Sequence, residues 1–407
     1  MLRLRKLIPV TLCLALGLTL PAKAQAADKL RFPEDGKLKI AVFADVQTTQ
    51  NVPRNLLDDL CVILDEEQPD LVVYLGDQVE GKHPWIHLGN NEAHVKQVID
   101  RVLAPVVERD IPFAVVFGNH DSQDSGVSKE IQMAYYQTLP GCLAVDEGDA
   151  LPGCGTYHLL YYSADGSRPV VDLYFVDSLE YDSGGGYGCV SKEQIEWCAA
   201  EMEVVKDANG GVSIPALYFQ HIIVPEIYDA LTPAEKGADG ALEGKGIGAG
   251  TWYTAPAGMD GLLEAPCPPD YSNGQFDRWK ESGSVIAGFF GHDHKNSFTA
   301  QLDGIDLVAC PGATYTSYHE PAARGVRIIE LDENAPETYT TRVRRFKDLE
   351  PSGLAAIGRF FGQPHLLEME LPAAGAVLVL GAIGLTLIRR KRQKAVAGQK
   401  RQGKKSF

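Results

Sequence analysis

Five short blocks of the 407-residue chain hold side chains that could do chemistry together. They are Asp45 with Gln47, Asp77, Asn119 with His120 and Asp121, His221, and His292 with His294. Carboxylates, imidazoles and amide oxygens in one set suit divalent or trivalent transition ions. The densest block is Gly118-Asn119-His120-Asp121. It combines a glycine that lets the backbone turn, a neutral amide ligand, a titratable base and a carboxylate. His292 and His294 are two apart, so on an extended tip they diverge and each can serve a different ion. Asp77 is placed to bridge two ions, which two-metal hydrolases hold about 3.5–4 Å apart.

The elements that must position these residues are legible from apolar runs. Residues 38–43, 71–75 and 113–117 read as buried strands, with amphipathic helices around 56–64 and 92–109 between them. This strand–helix–strand–helix–strand order predicts parallel pairing with crossover helices. In such sheets functional groups lie beyond the carboxyl ends of strands, and all three strands deliver polar residues there. In the second half, 170–176, 214–219 and 285–290 read as strands, with a helix over 192–205. The strand over 170–176 runs into Asp177, and the next two run into His221 and into Gly291-His292-Asp293-His294. Further strands are predicted at 305–309, 326–331 and 339–343, and a long irregular surface loop or lid at about 236–275.

Taken in order, Asp45-x-Gln47, Gly76-Asp77, Gly118-Asn119-His120-Asp121, His221 and Gly291-His292-Asp293-His294 resemble the calcineurin-like metallophosphoesterases. Gln220-His221-x-x-x-Pro225-Glu226 and Pro268-Pro269-Asp270-Tyr271 resemble a phosphatase branch loosely grouped with purple acid phosphatases. The resemblance implies an α/β fold, a four-layer αββα sandwich of two mixed β-sheets flanked by helices, in a catalytic domain over 35–348. It implies a first metal on Asp45, Gln47, Asp77 and His294, and a second on Asp77, Asn119, His221 and His292. His120, with Asn119, would meet the substrate phosphate, and His120 would protonate the leaving oxygen. Asp121 would orient His120. The implied reaction is attack on a phosphate monoester by a metal-bridging hydroxide, which the two cations make available near neutral pH. A phosphodiesterase or nucleotidase on the same site is the alternative within enzymes. A surface binding protein on a hydrolase scaffold is the alternative outside them.

Two departures from the family pattern matter. Gln47 stands where the first block usually has histidine, and an amide oxygen is a harder, weaker ligand than imidazole. Manganese or iron is therefore favoured, with zinc the softer alternative. Glu80 stands where purple acid phosphatases carry a tyrosine, so no iron–tyrosinate colour is expected.

Composition limits the partners. The formal charge is −16, and four of the 38 basic residues precede Ala27 while nine follow Ile388. The portion between is thus more acidic than the whole. That argues against a nucleic-acid surface, which needs a basic footprint; the small phosphorylated substrate is what the resemblance implies. Residues 1–26 read as a signal peptide, with a basic start, an apolar run over 7–20 and small-x-small cleavage sites. Residues 349–370 read as a linker or stalk. Residues 371–407 read as a C-terminal hydrophobic anchor or sorting signal, Leu371-Pro372-Ala373-Ala374-Gly375 leading an apolar segment and a basic tail. The expected location is extracytoplasmic, anchored to the membrane or cell wall. Cys142 with Cys154, and Cys189 with Cys198, are the local cysteine pairs that such a compartment permits. The remaining histidines, His83, His87, His94, His158, His319 and His365, read as structural, and Gly184-Gly185-Gly186 as a turn.

Overall fold

The computed structural model describes residues 29–146 and 150–349. The predicted signal peptide, the anchor or sorting segment and all of the stalk but Leu349 lie outside them.

The chain begins with a short strand β1 (Leu30–Arg31), then β2 (Lys37–Phe43), α1 (Arg54–Glu67), β3 (Leu71–Leu75), α2 (Pro84–His87), α3 (Asn91–Val107), β4 (Phe113–Val116) and α4 (Lys129–Tyr136). It continues through β5 (Tyr157–Tyr162), β6 (Pro169–Val176), α5 (Lys192–Ala208) and β7 (Ala216–Gln220). Three small strands follow, β8 (Thr232–Ala234), β9 (Leu242–Glu243) and β10 (Trp252–Thr254), and then α6 (Gln275–Ser282). The last strands are β11 (Val285–Phe290), β12 (Thr299–Leu302), β13 (Ile305–Ala309), β14 (Gly325–Asp332) and β15 (Tyr339–Arg345).

These strands form two large mixed sheets. One has the order β15-β14-β2-β3-β4, the other β1-β5-β6-β7-β11-β13-β12. In the first, β2, β3 and β4 are parallel; in the second, β6, β7, β11 and β13 are parallel. The two-residue period of a strand decides what each face meets. Leu173 and Phe175 of β6, Leu217 and Phe219 of β7, and Ala287 and Phe289 of β11 join the core that includes β2, β3 and β4. Their neighbours Tyr174, Tyr218 and Phe290 join a second core with Ile195 and Met202 of α5 and Phe276 and Trp279 of α6. Rings stack across the inter-sheet face, Phe175 on Phe219 and Phe219 on Phe289, each with centroids 5.2 Å apart. Leu56, Leu60 and Ile63 of α1 and Val95, Val98 and Val102 of α3 cover the outer face of the first sheet. Helix, sheet, sheet, helix is the expected four-layer order.

The stretch predicted as an irregular lid differs from expectation. It carries β9, β10 and a turn of 3-10 helix at Gly246–Gly248, and β8-β10-β9 close into a small antiparallel sheet. Its glycines and prolines hide strands of two and three residues. The seven cysteines after Cys13 are all free, so neither predicted pair is bonded.

Candidate metal centre

Every ligand-bearing block follows the carboxyl end of a parallel strand. Asp45 and Gln47 follow β2, Asp77 follows β3, Asn119 and His120 follow β4, His221 follows β7, and His292 and His294 follow β11. The two sheets meet here through an isolated bridge between Ala44 and Gly312. The backbone bends sharply at these ends: Asp45, Gln47, Asp77 and His292 all have positive φ, at 47°, 35°, 52° and 70°. Non-glycine residues in that region are strained, and such strain clusters at functional sites. Glycines make room for the approach. A Cβ at Gly76 would overlap the His221 ring, and one at Gly118 would overlap Asp77 Oδ1.

The side chains converge in two groups that share one carboxylate. Ligand atoms of Asp77, His221 and His292 lie within 4.8 Å of one another, as do those of Asp45, Asp77 and His294. Asp77, His221 and Asn119 are almost wholly buried. Yet Gln47 Oε1, Asp77 Oδ2, Asn119 Oδ1 and His221 Nε2 are buried without a hydrogen-bond partner. Asp77 Oδ2 and His221 Nε2 are only 3.2 Å apart, so the atoms are close but aimed past each other. Buried lone pairs that face a common point rather than donors fit cation ligation. The opposite ring nitrogens are tied back: His221 Nδ1 to the Leu75 carbonyl at 2.9 Å and His294 Nδ1 to the Tyr318 carbonyl at 2.6 Å. Those bonds leave Nε2 free to ligate. The residues present therefore fit two metal ions.

Electrostatics agree. Burial opposes ionisation of Asp77, but the His221 imidazole beside it holds the carboxyl well below its usual range. Burial likewise opposes charge on His221, yet Asp77 and then Asp45 push its pKa up to about 10. Burial and the neighbouring His221 hold His292 well below the usual histidine range.

Around the ligands, Asp121 differs from expectation. Its carboxylate accepts from the backbone N–H groups of Asp77 (2.8 Å), Val79 (3.0 Å) and Gly118 (2.8 Å). It thus pins the β3 and β4 ends together rather than orienting His120. The carboxylate beside His120 is Asp124, with Oδ2 at 2.8 Å from Nδ1. Asp293 accepts from the backbone N–H of Cys267 at 3.2 Å. Asn296 joins the same segment to the histidine loop, its Oδ1 accepting from Leu263 and Glu264 N–H groups. The segment after the small sheet is therefore a brace for His292 and His294. Asp177, also at a strand end, is occupied by the buried Lys129 ammonium at 2.9 Å.

Sequence reasoning missed several neighbours. Tyr318 stacks face to face on His294, centroids 4.1 Å apart. Tyr187 sets its ring against His292 at 4.4 Å, and Tyr181 OH accepts from Asn119 Nδ2 at 3.0 Å. Glu80 also faces the site, burial raising its carboxyl while His120 opposes the rise. The signal available was the tyrosine pair flanking Gly184-Gly185-Gly186. His83, His87, His94, His158 and His319 make structural contacts with the backbone or with Asp172. His365 lies outside the described residues.

Residues 38–191 match the calcineurin-like phosphoesterase family. The chain is 30% identical over 339 residues to the probable inactive purple acid phosphatase 14 of Arabidopsis thaliana, covering 74% of this chain and 77% of that protein. The chain belongs to the calcineurin-like phosphoesterase family. Its chemical class is that of a metallophosphoesterase, a hydrolase acting on phosphoric ester bonds. It is also 26% identical to the phosphatase DCR2 of Saccharomyces cerevisiae, over 77% of this chain and 55% of that one. Among solved structures, a dimetal phosphatase from Danio rerio aligns with a TM-score of 0.49 and 15% identity, over 76% of this chain and 96% of that one. His221, His292 and His294 lie beyond the matched residues and reach the site from the ends of β7 and β11 in the second sheet.

Proposed function

We propose that the chain is an active two-metal phosphatase that hydrolyses phosphate monoesters, exported and held at the cell surface by its C-terminal segment. The observation that carries the reading is the pair of buried ligand groups sharing Asp77, with unsatisfied lone pairs facing inward. Asp45, Gln47, Asp77 and His294 would hold one ion, and Asp77, Asn119, His221 and His292 the other. Bound there, the ions would supply a hydroxide nucleophile at neutral pH and offset the charge of the phosphoryl oxygens. The harder oxygen of Gln47 favours manganese or iron at the first position. His120 is part-exposed, at 19% of its side chain, so it can meet substrate and give a proton to the leaving oxygen. Lys82, beside Asp124 at 3.4 Å, puts a cation at the rim where a phosphate would arrive. Asp121 keeps the two strand ends in register beneath them.

The test is turnover of an aryl phosphate monoester with added manganese, compared with the matching diester. The wild type is expected to prefer the monoester. His120→Ala should lose about 10²–10⁴ in kcat while keeping both metals, and Asp77→Asn should lose both. No metal-dependent turnover of either ester at any pH would sink the proposal. Protease shaving of intact cells checks the location: surface display requires that the catalytic domain be released.

A further inference from the structure

We infer that Tyr181 is a positioning residue for the second metal site: its hydroxyl holds the Asn119 amide with Oδ1, not Nδ2, toward the ions. The inference rests on the two-metal reading above. A primary amide has two ends of nearly equal shape and opposite chemistry. The oxygen can ligate a cation, and the NH2 group, with two donors, cannot. Something must decide which end faces the metals. Asn119 is fully buried, its Oδ1 has no hydrogen-bond partner, and its Nδ2 donates to Tyr181 OH at 3.0 Å. A flipped amide would aim two N–H groups at the cations. The Tyr181 oxygen gives Nδ2 a place to go when Oδ1 turns inward.

The hydroxyl is itself fixed. Lys82 Nζ donates to it at 3.1 Å. The Tyr181 ring stacks on Tyr187 with centroids 5.4 Å apart, and Tyr187 rests against His292. Gln123 grips the Tyr181 backbone, its Oε1 accepting from the N–H at 3.2 Å. Asp182 Oδ1 closes the turn by accepting from Gly184 N at 2.7 Å and Gly186 N at 3.2 Å. The glycine run is thus the tip of a braced arm that carries Tyr181 over the site.

Metal titration of the chelator-stripped full chain with manganese, followed by calorimetry, tests this. Tyr181→Phe removes one oxygen and keeps the ring. One of two metal equivalents should weaken about 10–100-fold, and by clearly more than the other, which does not use Asn119. In an Asn119→Asp background either carboxylate oxygen can face the ion. There the same Tyr181→Phe step should cost far less. Wild-type affinity at both sites in Tyr181→Phe, or an equal loss in both backgrounds, overturns the assignment. A wild type that binds no metal overturns the two-metal reading and this inference with it.

Discussion

At the scale of single residues, the site is built to hold charge it cannot satisfy alone. Asp45 and Asp77 lie beside His221, with separations of 3.9 and 3.2 Å. Without metal, the imidazolium substitutes for a cation, which is why its pKa is pushed up to about 10. A pKa raised above the ordinary 6.5 by Asp77 and Asp45 means that His221 keeps its proton through neutral pH. Loading a metal on Nε2 must displace that proton. Metal affinity should therefore climb with pH, by about tenfold per unit for each proton released, and the release itself should be measurable. Titrations of stripped protein in buffers of different ionisation enthalpy would read both. Affinity that stays flat between about pH 6 and about pH 8 would contradict the pairing of His221 with Asp77. In the metal-free protein the same sign gives a stabilising His221–Asp77 pair below the ordinary histidine pKa, lost as pH rises toward 10.

At the scale of elements, helix α1 is fastened to the far edge of its sheet by the carboxylates at its C-terminal end, Glu66 on Arg344 and, chiefly, the buried Glu67. Glu67, at the end of α1 and 5% exposed, accepts from Arg342 at 2.6 and 3.0 Å and from Arg344, both on β15. Burial would raise its pKa, but the two guanidinium groups win and hold it below the usual 4.5. A depressed carboxylate pKa contributes stability that is complete above the unfolded value and lost as pH falls through the folded one. Glu67→Ala should cost about 1.5–3 kcal/mol near neutral pH, the range for hydrogen bonds to charged groups. The difference between variant and wild type should shrink below about pH 4.5. Denaturant melts across that range check it, and a pH-independent difference would assign the loss to packing instead. The same elements show what a sequence reveals. β2, β3, β4, β7 and β11 were legible because continuous apolar runs stop at polar ligands. Strand β5 was not, since Tyr157–Tyr162 alternates buried and half-buried tyrosine, leucine and histidine. Helix α4, with only eight residues, was too short for a clear helical period. The role of Asp121 was also hidden. Three residues after a glycine, a carboxylate can reach a ring or a backbone, and only the turn decides which.

At the scale of the whole molecule, the two sheets contribute opposite halves of the centre. The first supplies carboxylate and amide oxygens from Asp45, Gln47, Asp77 and Asn119. The second supplies imidazole nitrogens from His221, His292 and His294. Between them lies a core closed by the Phe175–Phe219–Phe289 stack. Ions bound by both halves would cross-link the sheets at the one end where burial cannot, because those side chains are polar. Binding to the folded chain alone stabilises it by about 2.7 kcal/mol at a hundredfold excess over Kd. Chelator-stripped protein should accordingly melt lower than protein with saturating manganese, and the gap should widen with metal concentration. Asp77→Asn removes the shared ligand, so it should abolish the gap. Phe219→Ala should lower both melting points together, since it opens the core by about 3–5 kcal/mol without touching a ligand. A metal-dependent gap that survives Asp77→Asn would place the stabilising ion somewhere other than the seam between the sheets.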